Sequence, residues 1–225
     1  MTHSFDKDYW EQHWDQAGGP TAPVVEASAA NPHLVRVAAG LAPGSALDAG
    51  CGAGAEALWL AGLGWQVTAA DISATALAQA AAHSASASGA ERVTWVEADL
   101  TVWEPGRLFD LVVTNYAHPA IPQLAFYERI AEWVAPGGTL LIAGHRHVAG
   151  PEHGHGDAHG IAPQRGEPEH SDEPPAHATV TLADITALFD PLLWRIDTAE
   201  EQTRERPGGQ GLPLHDVILR ASRLR

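Results

Sequence analysis

Ala46-Leu47-Asp48-Ala49-Gly50-Cys51-Gly52-Ala53-Gly54, with Asp71 at the end of the next apolar run, is the stretch that decides the fold. It reads as a buried strand, a glycine turn and a helix start, with an acid at the tip of a second strand. Gly50 and Gly52 let the backbone turn sharply and approach another group with no Cβ in the way. Gly54 lets the next helix pack close to the strand. Free N–H groups at a helix start attract negative charge.

Outward from that turn, strands are expected at 45–50, 66–72, 92–98, 108–115 and 138–144, with helices at 54–63, 74–88 and 122–134. The strands are continuous apolar runs such as LFDLVVTN and GTLLIAG. Such runs imply a parallel sheet covered on both faces, with right-handed crossovers. Upstream, residues 6–17 read as a helix carrying Tyr9, Trp10 and Trp14, stopped by Gly18-Gly19-Pro20. Asn31-Pro32 is a cap and first-turn pair that opens a second helix to about Ala39. Downstream, Thr181 starts a helix to about Phe189, and strands at 192–203 and 213–222 are joined by RPGGQG, short enough for an antiparallel pair. The expected class is α/β: a Rossmann-like, seven-stranded, mostly parallel sheet with helices on both faces and an antiparallel C-terminal hairpin strand.

Residues 1–225 read as a single domain, with 1–40 as an N-terminal helical lid and 146–178 as a His/Gly/Pro-rich loop or insertion. The run GPEHGHGDAHGIAPQRGEPEHSDEPP inside that segment has almost nothing to bury. The chain is 45% hydrophobic, enough for one full core, and carries 28 acids against 13 bases for a net charge of −15. A nucleic-acid binder needs a basic face, and here the single lysine is Lys7. Nucleic acid is therefore not expected as a partner. One cysteine rules out an intramolecular disulfide and suits a reducing cytoplasm. The N-terminus has neither the basic nor the apolar region of a signal peptide, and no stretch approaches a membrane span.

The turn and Asp71 together suit a nucleoside-like ligand, since a carboxylate about twenty residues past the glycines can accept both ribose hydroxyls. Asp48, just before the turn, can face a ligand's amino group and would repel a diphosphate. Asp99 ends the third strand in VEADL, placed to take an adenine amino hydrogen; the alternative for it is a turn former. The chain closes with a hairpin, not with a second βαβαβ half. Cys51 reads as a small packing residue rather than a nucleophile.

Taken together, LDAGCGAGAEALWLAGLGWQVTAADIS, VEADL, FDLVVTNY and APGGTLLIAGH resemble the motifs of the class I S-adenosylmethionine-dependent methyltransferases, over roughly residues 30–222. The resemblance implies S-adenosyl-L-methionine as cofactor. It implies that Asp48, Gly50, Cys51, Gly52 and Gly54 line the methionine and ribose part. Asp71 would bind the ribose, Ile72 pack on the adenine, Asp99 and Leu100 hold the adenine edge, and Asn115 sit at the crevice where the methyl group emerges. The opening DYWEQHWDQAGG, together with AGH and HDVILRAS, is similar to the tellurite-resistance and thiopurine-type methyltransferases, whose first helix closes the site. That likeness makes Trp10 a cofactor contact and Tyr9, Trp14 and Tyr116 acceptor contacts, with a small thiol or metalloid as the expected methyl acceptor. O- or N-methylation of a specialised metabolite is the alternative. A protein that binds the sulfonium without turning it over, or a histidine-loop metal-binding protein, is the alternative from another class.

Seven of the thirteen histidines lie between 145 and 177. His153, His155, Asp157 and His159 are of a type that binds zinc or nickel, but the glycines between them favour a solvated loop, so no metal is expected. His145 and His147, at the end of the fifth strand, and His118, past the fourth, are the candidate bases for an acceptor that must lose a proton.

Overall fold

In a computed structural model of the chain, residues 4–16, 30–146, 179–204 and 214–225 are described. The elements run α1 (Lys7–Gln16), α2 (Pro32–Ala38), β1 (Ser45–Ala49), α3 (Ala55–Gly62), β2 (Gln66–Asp71), α4 (Ala74–Ser84), β3 (Val93–Glu97), β4 (Phe109–Asn115), α5 (Gln123–Glu132), β5 (Val134–His145), α6 (Leu182–Ala187), β6 (Trp194–Arg204) and β7 (Leu214–Arg223). The seven strands form one sheet in the order β3-β2-β1-β4-β5-β7-β6. β7 runs antiparallel to both neighbours, and the remaining pairings are parallel. The expected hairpin is present, and its second strand is the one slotted against β5.

Local chemistry explains the boundaries. Asn31 caps α2 by accepting the His33 N–H at 2.9 Å, with Pro32 in the first turn. Ser73 caps α4 by accepting the Ala76 N–H at 3.1 Å. α4 ends at Ser84, short of the expected 88, and Gly89 at φ 82° leads into a 3-10 turn over Ala90–Arg92. β5 starts four residues before the expected 138. Phe109 pairs with Val134 and Leu111 with Thr139, so Pro136-Gly137 forms a bulge in the strand instead of a turn before it.

β4 divides the core by alternation. Val112 packs with Phe126, Tyr127, Ile130 and Trp133, while Leu111 and Val113 pack with Leu34, Leu60 and Trp65; Phe109, on the far side of a register shift, joins the Val112 side. Burial on both faces is what the continuous apolar runs demand. No helix among the described residues is long and apolar enough to cross a membrane.

Packing between α5 and β5 is close. A Cβ at Gly144 would lie 2.4 Å from the hydroxyl of Tyr127, which is 2% exposed. Gly144→Ala is expected to cost about 1–3 kcal/mol, a melting-temperature fall of about 2–4 °C per kcal/mol at this length. Adding Tyr127→Phe removes the obstructing oxygen and should recover part of the loss. Thermal denaturation followed by circular dichroism checks both, and an unchanged melting temperature for the single variant contradicts the packing.

Candidate active site

The site lies at the carboxyl ends of the parallel strands, where the order reverses between β1 and β4. The glycine turn is tied down there. Gly50 and Cys51 both donate their N–H to the Ala70 carbonyl, at 2.9 and 3.1 Å. Gly52 donates to Asp71 Oδ2 at 2.8 Å, and Ser73 to Oδ1 at 2.9 Å. Gly50 (φ 81°) and Gly52 (φ 49°) need the left-handed region. A Cβ on Gly50 would lie 2.4 Å from Ala117 Cβ, and one on Gly52 2.9 Å from Trp14 Cζ2.

These elements enclose a cavity of about 340 Å³. The sequence-derived residues Trp10, Trp14, Gly50, Cys51, Gly52, Gly54, Asp71, Ile72, Asp99, Leu100, Asn115, Tyr116 and His118 all line it. So do Phe5, Glu56, Ala117, Pro119 and Phe126, which sequence reasoning did not select. Three carboxylates, Glu56, Asp71 and Asp99, face the cavity, and among the described residues no lysine or arginine does. Both polar atoms of the Asn115 amide are buried without a protein partner.

Several expectations change. Asp48 does not line the cavity. It is 1% exposed beneath the start of α3, with Glu56 interposed as the nearer acid. Desolvation, with Glu56 and Asp71 adding repulsion, pushes its carboxyl well above the usual range. Tyr9 is also outside the lining. Trp10 and Trp14 are four residues apart and share a helix face, while Tyr9 is turned away and packs edge-on against Phe5 and Trp10 at 5.2 and 5.1 Å. Phe5 takes the place expected for Tyr9. His145 stands one layer back, stacked on Tyr116 at 4.8 Å and on His118 at 5.4 Å. Asp99 turns the chain by accepting the Thr101 N–H at 2.9 Å and its hydroxyl at 2.6 Å, and still borders the cavity. Burial, helped by Asp48 and Asp71, pushes the Cys51 thiol well up, as suits a packing residue. His147, His153, His155, Asp157 and His159 lie outside the described residues. Among the described residues no cluster suited to a metal occurs.

α1 is held against the cavity by Glu11. Its carboxylate accepts the Ala74 N–H at 2.7 Å, the Thr75 N–H at 3.1 Å and the Ser73 hydroxyl at 2.9 Å, at the positive start of α4. Trp10 Nε1 donates to the His118 carbonyl at 3.1 Å, and Lys7 pairs with Glu97. Nothing in the DYWEQHW pattern marks Glu11 beyond an acid between aromatics. Asp216 was also missed. It is 2% exposed on β7, accepts the Tyr116 hydroxyl at 2.9 Å and lies 3.5 Å from His145 Nδ1. The one available signal was an acid opening the apolar run of HDVILRAS, opposite His145 in the β5–β7 register. That bond helps hold Tyr116 at φ 56°, a costly conformation for an aromatic residue.

Two tests follow from these acids. Desolvation raises the Glu11 carboxyl, but hydrogen bonds from Thr75, Ala74 and Ser73 outweigh it and the net shift is downward. Docking therefore favours the ionised form and is lost as pH falls below the ordinary 4.5 through the lower docked value. Glu11→Gln at neutral pH should speed amide exchange in α1 by about tenfold, as acid does to the parent; unchanged exchange contradicts the clamp. Asp48 has the opposite sign. Its raised value means that stability declines as pH rises above the ordinary 3.8, until the folded value is passed. Asp48→Asn should flatten the fall in melting temperature as pH rises above the ordinary 3.8, and an unchanged pH dependence contradicts the buried carboxyl.

The family described as a methyltransferase domain matches residues 46–138. The chain is 32% identical over 143 residues to trans-aconitate 2-methyltransferase of Streptomyces avermitilis, across 61% of this chain and 49% of that protein. It is 31% identical over 146 residues to thiocyanate methyltransferase 1 of Brassica oleracea, across 63% of each. The chain thus spans about half to two thirds of the length of these curated relatives. The crystal structure of TehB from Haemophilus influenzae superposes with a TM-score of 0.63 at 16% identity, over 97% of this chain and 67% of that one, a likeness of fold. The matched segment runs from β1 through the glycine turn and into β5, and over it the chain is similar to methyltransferase domains.

Proposed function

We propose that the protein transfers a methyl group from S-adenosylmethionine to a small acceptor, a thiol or a metalloid first. The observation that carries this reading is the cavity itself: an acidic, aromatic-walled space of about 340 Å³ over a pinned glycine turn, with the Asn115 amide buried and unpartnered beside it. The cofactor supplies an electrophilic methyl group on a positively charged sulfur. Glu56 and Asp71 suit an ammonium and a ribose, and Trp10 and Trp14 offer π faces to a cation. Asn115 has both a donor and an acceptor to give. Helix α1 acts as a lid, held by Glu11, that excludes water and aligns donor with acceptor. His118 is the titratable ring at the acceptor end.

The names of the relatives span a carboxylate acceptor and a sulfur one. Among the described residues no lysine or arginine lines the cavity to pair with an anionic acceptor, which favours a neutral one such as a thiol. Net charge −15 argues against nucleic acid as substrate, and the single cysteine fits a cytoplasmic setting.

Calorimetry with S-adenosylhomocysteine should show binding, weakened about ten- to a hundredfold in Asp71→Ala. Mass spectrometry over thiophenol, hydrosulfide, phenol, benzylamine and trans-aconitate should give a product one methylene heavier from a thiol and none from trans-aconitate. No heat of binding overturns the proposal, and methylation of trans-aconitate alone overturns the choice of acceptor.

A further inference from the structure

Gln123, the first residue of α5, is 4% exposed and its amide can face only one way. Its Nε2 donates to the Ala117 carbonyl at 2.9 Å, and a carbonyl can only accept. Its Oε1 is therefore the atom turned to His118 Nδ1, 3.4 Å away. An oxygen there demands a proton on the nitrogen, because two facing lone pairs would repel in a half-buried place. The imidazole plane is held as well. The ring packs against Phe5 and against His145, at 5.4 Å from each, with interplanar angles of 34° and 25°. The ring thus has a set orientation and a set tautomer, with hydrogen on Nδ1 and the lone pair on Nε2, at the opposite edge of a ring that lines the cavity.

We propose that His118 is the general base of this site, that Gln123 is the positioning residue that keeps its Nε2 unprotonated, and that the acceptor is a neutral molecule carrying an acidic S–H or O–H. The inference rests on the methyl-transfer reading. In the step, His118 Nε2 takes the acceptor's proton while the freed electron pair of the acceptor atom forms the bond to the methyl carbon. The carbon–sulfur pair stays with sulfur. The positive charge brought by the sulfonium ends on the imidazolium, which later gives its proton to solvent. Among the described residues, the titratable groups near His118 include His145 from β5 and, beyond it, Tyr116 after β4 and Asp216 from β7. The 3.4 Å separation is long for a hydrogen bond, as such contacts are before a substrate closes on them.

The tautomer can be read without any ligand. The full chain with 15N-labelled histidine, at about pH 8 where ordinary histidine is neutral, should show His118 protonated on Nδ1, its signal assigned by its loss in His118→Asn. Gln123→Met removes the acceptor oxygen and should give a mixture of both tautomers, while Gln123→Glu restores the oxygen and the Nδ1 proton. A parent spectrum with the proton on Nε2 overturns the proposal even if no variant folds. With thiophenol as acceptor, Gln123→Met should lower kcat about ten- to a hundredfold with KM within about twofold. Unchanged kcat there overturns the base. Failure of every acceptor together with failure to bind S-adenosylhomocysteine overturns the methyl-transfer reading instead, and leaves the tautomer measurement standing as a separate result.

Discussion

The Ala70 carbonyl, at the end of β2, accepts two N–H groups from the turn that follows β1. The rest of the site depends on this shared acceptor. It stitches the glycine turn to the neighbouring strand, which brings the Gly52 N–H onto Asp71 and orients the start of α3. A turn so tied cannot drift when the cavity fills. It also leaves Gly50 and Gly52 with no room for a side chain, since Ala117 and Trp14 occupy the space on their open side. The same backbone atoms thus fix the floor of the cavity and the approach of its walls.

Much of this was legible in the sequence because the deciding features are local. Continuous apolar runs, glycines at positive φ and cap residues such as Asn31 and Ser73 act within a few residues of where they are read. A mostly parallel sheet with an antiparallel terminal pair followed from the same reading, while the order of its strands did not. What was not legible depends on side-chain direction and on partners far along the chain. Asp48 is spelled like a ligand contact, yet strand alternation and the start of α3 bury it, and Glu56 takes the cavity face. Tyr9 and Trp10 are adjacent in sequence, but one helical step of rotation separates the residue that lines the cavity from the one that props it. Asp216 reaches Tyr116 across 100 positions, and Glu11 reaches α4 across more than 60, through contacts that no spacing rule encodes.

Glu11 also shows how an aromatic helix with no fully buried residue stays in place. α1 has ten residues, too few to hold together alone in water. Its docking instead uses the unsatisfied N–H groups at the start of α4, which an ionised carboxylate fills well. A polar clamp of this kind is directional and reversible. It can release without exposing a large apolar face, as a cover over a small-molecule site must.

The acids near the turn then acquire a common meaning. Burying Asp48, Glu56 and Asp71 so close together raises the carboxyl of each, desolvation being the largest cause in every case. Left alone, that cluster is a liability to the fold, because each ionised member opposes the others. A cationic ligand seated against Glu56 and Asp71, the two of them that face the cavity, would offset that repulsion. The gain is greatest where the acids are most desolvated, next to the glycine turn. The acceptor end, with His118, Asn115 and Phe5, has no such concentration of charge. The cavity is therefore polarised, with an acidic end suited to a positive donor and a less charged end where His118 and Tyr116 lie. A fold that pays for buried acids at one end gains from them only if the molecule bound there is positively charged.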